Sequence, residues 1–127
     1  MRAPCASVMK RQQAERLGRW AETVCVWRLR FAGYRIVARR FKSPVGEIDL
    51  IARRGNILAF IEVKARADEA SALFAVTPAQ SGRIERAALS FIAQRPAYAR
   101  FGMRYDIMLV LPRRWPRHLP DAWRPLK

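Results

Sequence analysis

Asp49, Glu62 and Lys64 have the residue types and spacing to hold a divalent cation beside an amine. They lie in the stretch Gly46 to Arg66, GEIDLIARRGNILAFIEVKAR, where two runs rich in Ile, Val and Phe flank Gly55-Asn56. That pair favours a two-residue hairpin turn. With this turn, Ile48, Leu50, Ala52, Ile57, Ala59, Ile61 and Val63 share one wholly apolar face, a core face. The opposite face carries Glu47, Asp49, Ile51, Leu58, Phe60, Glu62 and Lys64, apolar near the turn and charged toward the open end. Asp49 then faces Glu62 with side-chain roots about 5 Å apart, and like charges so placed destabilise a sheet. Partial cover from Ile51, Leu58 and Phe60 makes the pair costlier. A hard divalent cation, Mg2+ (or Mn2+), relieves that repulsion, because carboxylate and water oxygens are its preferred ligands. Lys64 follows Glu62 by two residues and shares its face. The same pattern also fits a plain salt bridge between Glu47 and Lys64, with Asp49 and Glu62 turned to water. A turn centred on Arg54-Gly55 would set Glu47 opposite Glu62 and Asp49 on the diagonal, still within reach of a shared ion.

The elements that must position these groups follow from periodicity. Residues 1–9 read as a flexible N-terminus. A helix is expected from Lys10 to Phe31, with Leu17, Trp20, Ala21, Val24, Trp27 and Phe31 on one stripe and Gly33 as its C-terminal cap. Gly18, Cys25, Val26 and Leu29 make the neighbouring stripe apolar too, and Glu22 lies among them. Tyr34 to Phe41 suits a strand, followed by a Ser43-Pro44 turn. Ala65 to Val76 reads as a loop or short helix. Thr77-Pro78-Ala79-Gln80 is a helix start, with Thr77 as N-cap and Gln80 closing a capping box, and the helix should end before Pro96. Met103 to Leu111 has the near-continuous apolar character of a buried strand, interrupted by Asp106, an acid that needs a partner such as Arg66 or Arg83. The domain therefore spans 10–111. Residues 112–127 hold four of the eight prolines with Trp115, Trp123 and several arginines, and read as an extended tail whose Trp and Arg side chains could dock on the domain or stack on bases.

The chain has 127 residues, 51% of them hydrophobic, which suits one domain with its own core. Its 25 Lys and Arg against 10 Asp and Glu give a net charge of +15 and a pI near 11.5. That excess points to a polyanionic partner, above all nucleic acid, although an anionic membrane surface or ribosomal RNA would also satisfy the charge. Candidate nucleic-acid contacts are Arg39, Arg40, Lys42, Arg53, Arg54, Arg66, Gln80 and Arg83; Arg53 and Arg54 serve equally as solubilising charges at the hairpin turn. Two cysteines make no disulfide framework, and a single histidine leaves no zinc-ligand cluster. Neither a signal peptide nor a bilayer-spanning stretch is visible, so a cytoplasmic protein without a membrane partner is expected.

The strings G-E-I-D-L-I-A and F-I-E-V-K-A-R, in this order and at hairpin spacing, resemble the signature of the YraN-like family of small uncharacterised bacterial proteins, which is assigned to the PD-(D/E)XK nuclease superfamily. The resemblance runs from about Gly18 to Val110. It implies an α/β, restriction-endonuclease-like core with a mixed central sheet of about four strands flanked by helices. It also implies a metal-dependent endonuclease acting on DNA, including branched or junction DNA, with Asp49, Glu62, Lys64 and Glu22 catalytic and Asp49, Glu62 and Glu22 on the metal. The family's Gly-x-x-Gly-Glu pattern on the first helix is matched by Gly18-Arg19-Trp20-Ala21-Glu22, with Ala21 in place of the second glycine. The family's usual lysine is Gln80 here, its asparagine near Arg40 is missing, and its Arg-Phe-Asp is matched by Arg104-Tyr105-Asp106. Glu47 and Asp106 are expected to support the structure. Related junction resolvases are dimers, which implies a homodimer. A non-catalytic nucleic-acid-binding module, or an accessory partner of a DNA-processing helicase, is the alternative.

Overall fold

The computed structural model describes residues 6–68, 70 and 76–125. Most of the stretch expected to be a loop or short helix before Val76, and the first five residues, lie outside these. The elements are α1 (Ala6–Phe31), β1 (Arg35–Ser43), β2 (Gly46–Arg54), β3 (Ile57–Ala65), α2 (Pro78–Gln94), β4 (Gly102–Val110) and β5 (Arg117–Trp123). The first helix begins four residues before the expected Lys10. Its end follows the expected form, with Gly33 at φ +89° beyond the last turn.

The strands form one mixed sheet in the order β1-β2-β3-β4-β5. Among the described strands only β3 and β4 pair in parallel, and the connection between them contains α2, as a parallel crossover requires. The central hairpin has the register expected for a turn on Gly55-Asn56: Leu50 pairs with Ile61, Ile51 with Phe60 and Ala52 with Ala59. Gly55 supplies the positive φ, +60°, that such turns need. Thr77 and Gln80 form the expected capping box, each side chain bonded to the other's backbone N–H at 3.2 Å.

A helix covers each face of the sheet. On one side Ala21, Cys25, Val26 and Leu29 of α1 pack on Leu50, Ala52, Ala59, Ile61 and Met108. On the other, Ile84, Ala87, Ala88 and Phe91 of α2 pack on Ile51, Leu58, Phe60 and Tyr105. This three-layer arrangement is consistent with a restriction-endonuclease-like fold. Burial on both faces explains why β2 and β3 are apolar on each side near their turn.

Four expectations are corrected. Among the described residues the sheet has five strands rather than about four, and the extra one comes from the Pro-rich residues read as a tail. At the sheet edge β5 tolerates Pro120, whose missing N–H would break a central ladder. On α1 the stripe containing Trp20, Trp27 and Phe31 faces outward, and these three are more than half exposed. The neighbouring stripe of Cys25, Val26 and Leu29 faces the sheet instead, and Ala21 of the first stripe joins it there. Ile48 leaves the face of Leu50 and joins the α2 side. Finally, Asp106 pairs with Arg104 and His118, not with Arg66 or Arg83.

Cys25 is a free, fully buried thiol. Burial pushes its pKa up to about 12, and the charges of Asp49 and Glu22 add to the rise. Since the thiolate is the nucleophile, Cys25 should resist iodoacetamide at pH 8 in the folded protein and react once urea unfolds it. Peptide mass mapping separates it from Cys5, and rapid native labelling of Cys25 would contradict the packing.

Candidate active site

The site forms where β2 parts from β3. Their ladder runs from the turn to Leu50 opposite Ile61. One residue further, Asp49 Oδ2 accepts the Val63 N–H at 2.8 Å, so a carboxylate takes the place of a backbone acceptor. Beyond it the strand leans toward α2. Gly46 passes so close to the helix that a Cβ there would overlap the Arg83 carbonyl, which only glycine avoids.

Lys64 Nζ lies 3.3 Å from Glu62 Oε1, with both side chains largely buried. The salt bridge between Glu47 and Lys64 does not form: Lys64 turns to Glu62, and Glu47 is exposed. Burial and then the neighbouring Glu62 charge raise the Asp49 carboxyl from 3.8 to about 7, against the lowering effect of the Val63 N–H. Burial likewise raises Glu62, and Lys64 opposes the rise. Both shifts disfavour charging the two carboxylates together, and Lys64 favours the charged form of Glu62.

Glu22 projects from α1 toward this pair, close enough for its charge to raise both Asp49 and Glu62. It is buried, and Arg40 Nε donates to its Oε2 at 2.6 Å. Arg40 adopts φ +53°, a left-handed conformation uncommon for a residue with a Cβ. The asparagine that the resemblance implies near this position would suit that backbone.

Two open clefts meet at Glu47 and Asp49. One, of about 510 Å³, lies on the α2 side and includes Glu62, Gln80, Arg83 and Arg86 in its lining. The other, of about 410 Å³, lies on the α1 side and is lined by Arg19, Glu22, Arg40 and Lys42 among others. For a divalent cation the donor chemistry fits: Asp49 and Glu62 offer carboxylate oxygens, and a cation would offset their mutual repulsion. Among the described residues no three carboxylate, histidine or cysteine groups are arranged to hold a metal. Glu22, the expected third, is instead tied to Arg40.

The structure separates the expected basic contacts. Arg40, Lys42, Gln80 and Arg83 border the clefts, although Gln80 also closes the cap of α2. Arg39 donates to Thr23 Oγ1 at 3.2 Å. Arg66 donates to the Ala65 carbonyl and sits beside an apolar groove with Trp20. Arg53 and Arg54 lie at the far end of β2, stacked on Phe101 and Tyr34. Arg19 and Arg86 were missed. Each stands three residues from an expected site residue on its helix, Glu22 or Arg83, and that spacing was the available signal.

Asp106 is fully buried away from the clefts. Arg104 donates to both of its oxygens at 2.8 Å, His118 Nε2 lies 2.7 Å from Oδ2, and the Asp121 N–H donates to Oδ1 at 3.0 Å. These bonds tie β5 to β4. No sequence pattern linked His118 to this acid.

Residues 21–110 match the family model described as "Uncharacterised protein family UPF0102". A UPF0102 protein of Parvibaculum lavamentivorans is 54% identical over 112 residues, covering 88% of this chain and 84% of that protein. Another, from Paramagnetospirillum magneticum, is 50% identical over 117 residues, covering 89% and 91%. One from Chelativorans sp. is 48% identical over 115 residues, covering 91% and 93%.

Proposed function

From the premise that the chain belongs to uncharacterised protein family UPF0102, and from the geometry of its own clefts, we propose that it is a metal-dependent endonuclease that hydrolyses DNA phosphodiester bonds. The observation that carries this reading is the set Asp49, Glu62 and Lys64. Two repelling, largely buried carboxylates lie beside a lysine 3.3 Å from one of them, at an arginine-bordered cleft. A structural ion pair would need one acid; the second acid raises the cost of the fold and calls for a cation.

Asp49 and Glu62 would hold Mg2+ or Mn2+. When bound, such an ion lowers the pKa of water and neutralises charge on phosphate oxygens. Asp49 is positioned for this by the Val63 N–H, and Glu62 by Lys64. The Lys64 ammonium, held in an ion pair, is suited to orienting the attacking water and offsetting charge that grows on the phosphate. Arg83 and Arg86 on α2 would receive the phosphates on either side of the scissile bond. The net charge of +15 supplies the general attraction and makes affinity fall steeply with salt.

The test is cleavage of labelled linear, single-stranded, flapped and four-way-junction DNA with Mg2+, Mn2+ or EDTA. Glu62→Ala and Lys64→Ala are run beside the unaltered protein, with binding measured in the same samples. Metal-dependent cutting should fall by about 10²-fold or more in both variants while DNA binding persists. Binding without cutting under either metal, unchanged by the substitutions, would overturn the enzyme in favour of a binding module or an accessory partner of a DNA-processing helicase.

A further inference from the structure

The proposed hydrolysis leaves Arg40 without a task, yet both its backbone and its side chain are unusual. Its φ of +53° is a conformation readily adopted by Gly, Asn or Asp and disfavoured for a long side chain. The side chain turns toward α1, where Nε binds Glu22 Oε2 at 2.6 Å. The Glu22 side chain is only 8% exposed, whereas that of Arg40 is 42% exposed. Among the described residues, the terminal nitrogens of Arg40 make no hydrogen bond. One end of the guanidinium thus neutralises a buried acid, while the other borders a cleft shared with Arg19 and Lys42. Such a free fork suits the oxygens of a phosphate.

We propose that Arg40 is a latch, shared between Glu22 and a backbone phosphate of the bound nucleic acid, through which phosphate binding in the α1-side cleft and cation binding at Asp49 and Glu62 reinforce each other. This rests on the metal-dependent reading above. With the cleft free, Arg40 holds Glu22 as its counter-ion and keeps it from the cation. A phosphate that draws the guanidinium outward leaves Glu22 without its partner beside Asp49 and Glu62, where a cation is the available replacement. By linkage, the cation then favours phosphate by the same factor. The consequence is a metal set completed on substrate rather than before it.

The experiment reads cation binding, not turnover: free Mn2+ is followed by electron paramagnetic resonance in the unaltered protein, Arg40→Asn, Glu22→Gln and the double variant. Asn suits the local backbone and Gln keeps the shape of Glu22; thermal melting checks that each variant is folded. Arg40→Asn should bind Mn2+ about tenfold more tightly than the unaltered protein, within the usual range of coupling between sites. That gain should vanish in the Glu22→Gln background. Arg39→Gln, which removes the same charge one residue away, should change affinity by less than about threefold. Single-stranded DNA, corrected for its own Mn2+ uptake, should tighten Mn2+ binding more in the unaltered protein than in Arg40→Asn.

A gain that survives in the double variant would overturn the latch, because it would reflect lost positive charge alone. Unchanged affinity in a folded Arg40→Asn would overturn it too, leaving a structural ion pair. Absence of Mn2+ binding in every variant would instead defeat the metal-dependent reading on which the latch depends.

Discussion

Asp49→Asn is expected to abolish metal-dependent cleavage and, in the same molecule, to raise the stability of the metal-free protein at neutral pH. On the proposed reading the loss follows from removing one of the two carboxylates that would hold the cation, with a fall in cleavage rate of about 10³-fold or more. The gain follows from the sign of the Asp49 shift. Its carboxyl rises from 3.8 to about 7 in the fold, first through burial and then through the charge of Glu62. Below pH 3.8 the group is protonated whether the chain is folded or not, and the shift has no effect. Between that value and about 7 the unfolded chain gives up a proton that the folded one keeps, so stability falls as pH rises. Well above 7 the whole penalty is present, on the order of 4 kcal/mol. Asn removes the charge, and its side-chain oxygen can still accept the Val63 N–H.

Urea unfolding of both proteins from pH 4 to 8, in EDTA, measures the difference. The unaltered protein should lose stability across this range relative to Asp49→Asn, and added Mg2+ should narrow the gap. Parallel pH profiles would mean that Asp49 carries no such burden. A site that weakens its own fold is the usual cost of function placed in a buried position.

Asp106→Ala should be strongly destabilising, by about 3–5 kcal/mol, because it leaves the Arg104 guanidinium without its acid and His118 and the Asp121 N–H without their acceptor. With typical domain stabilities of about 5–15 kcal/mol, that loss could leave a sizeable fraction unfolded. Burial alone would raise this carboxyl, but hydrogen bonds from His118, Arg104 and the Asp121 N–H hold it below the ordinary value. Its support is therefore present above the ordinary carboxylate range and lost as pH falls through the depressed value. The damage should reach β5 first, since His118 and Asp121 contact this acid from that strand. Denaturation at pH 7 gives the total, and hydrogen exchange of residues 117–123 locates it. A loss below about 1 kcal/mol would show that Arg104 and His118 find solvent or other partners.

Several features were legible because their causes lie within a few residues of one another. Glycine at a turn and a period of two set the register of β2 and β3, and so brought Asp49, Glu62 and Lys64 to one end of one face. Thr77-Pro78-Ala79-Gln80 contained the whole start of α2. The strand from Gly102 to Val110 was visible as the apolar run from Met103 to Leu111. The strings of the central hairpin were specific enough to imply the family.

The sequence by itself determined this local layer: the hairpin, the helix cap, the strands up to β4, and the convergence of two acids with a lysine. Tertiary structure decided which apolar stripe of α1 met the sheet, because both stripes could bury area. It decided that Lys64 would pair with Glu62 rather than Glu47, because β2 bends away after Leu50. It also decided that residues 117–123 would extend the sheet, through an acid and a histidine 12 positions apart. The pairing of Glu22 with Arg40, 18 residues on, belongs to the same class. Charge and periodicity specify what a side chain can bind, but the partner is chosen by which distant segments the folded core brings within reach.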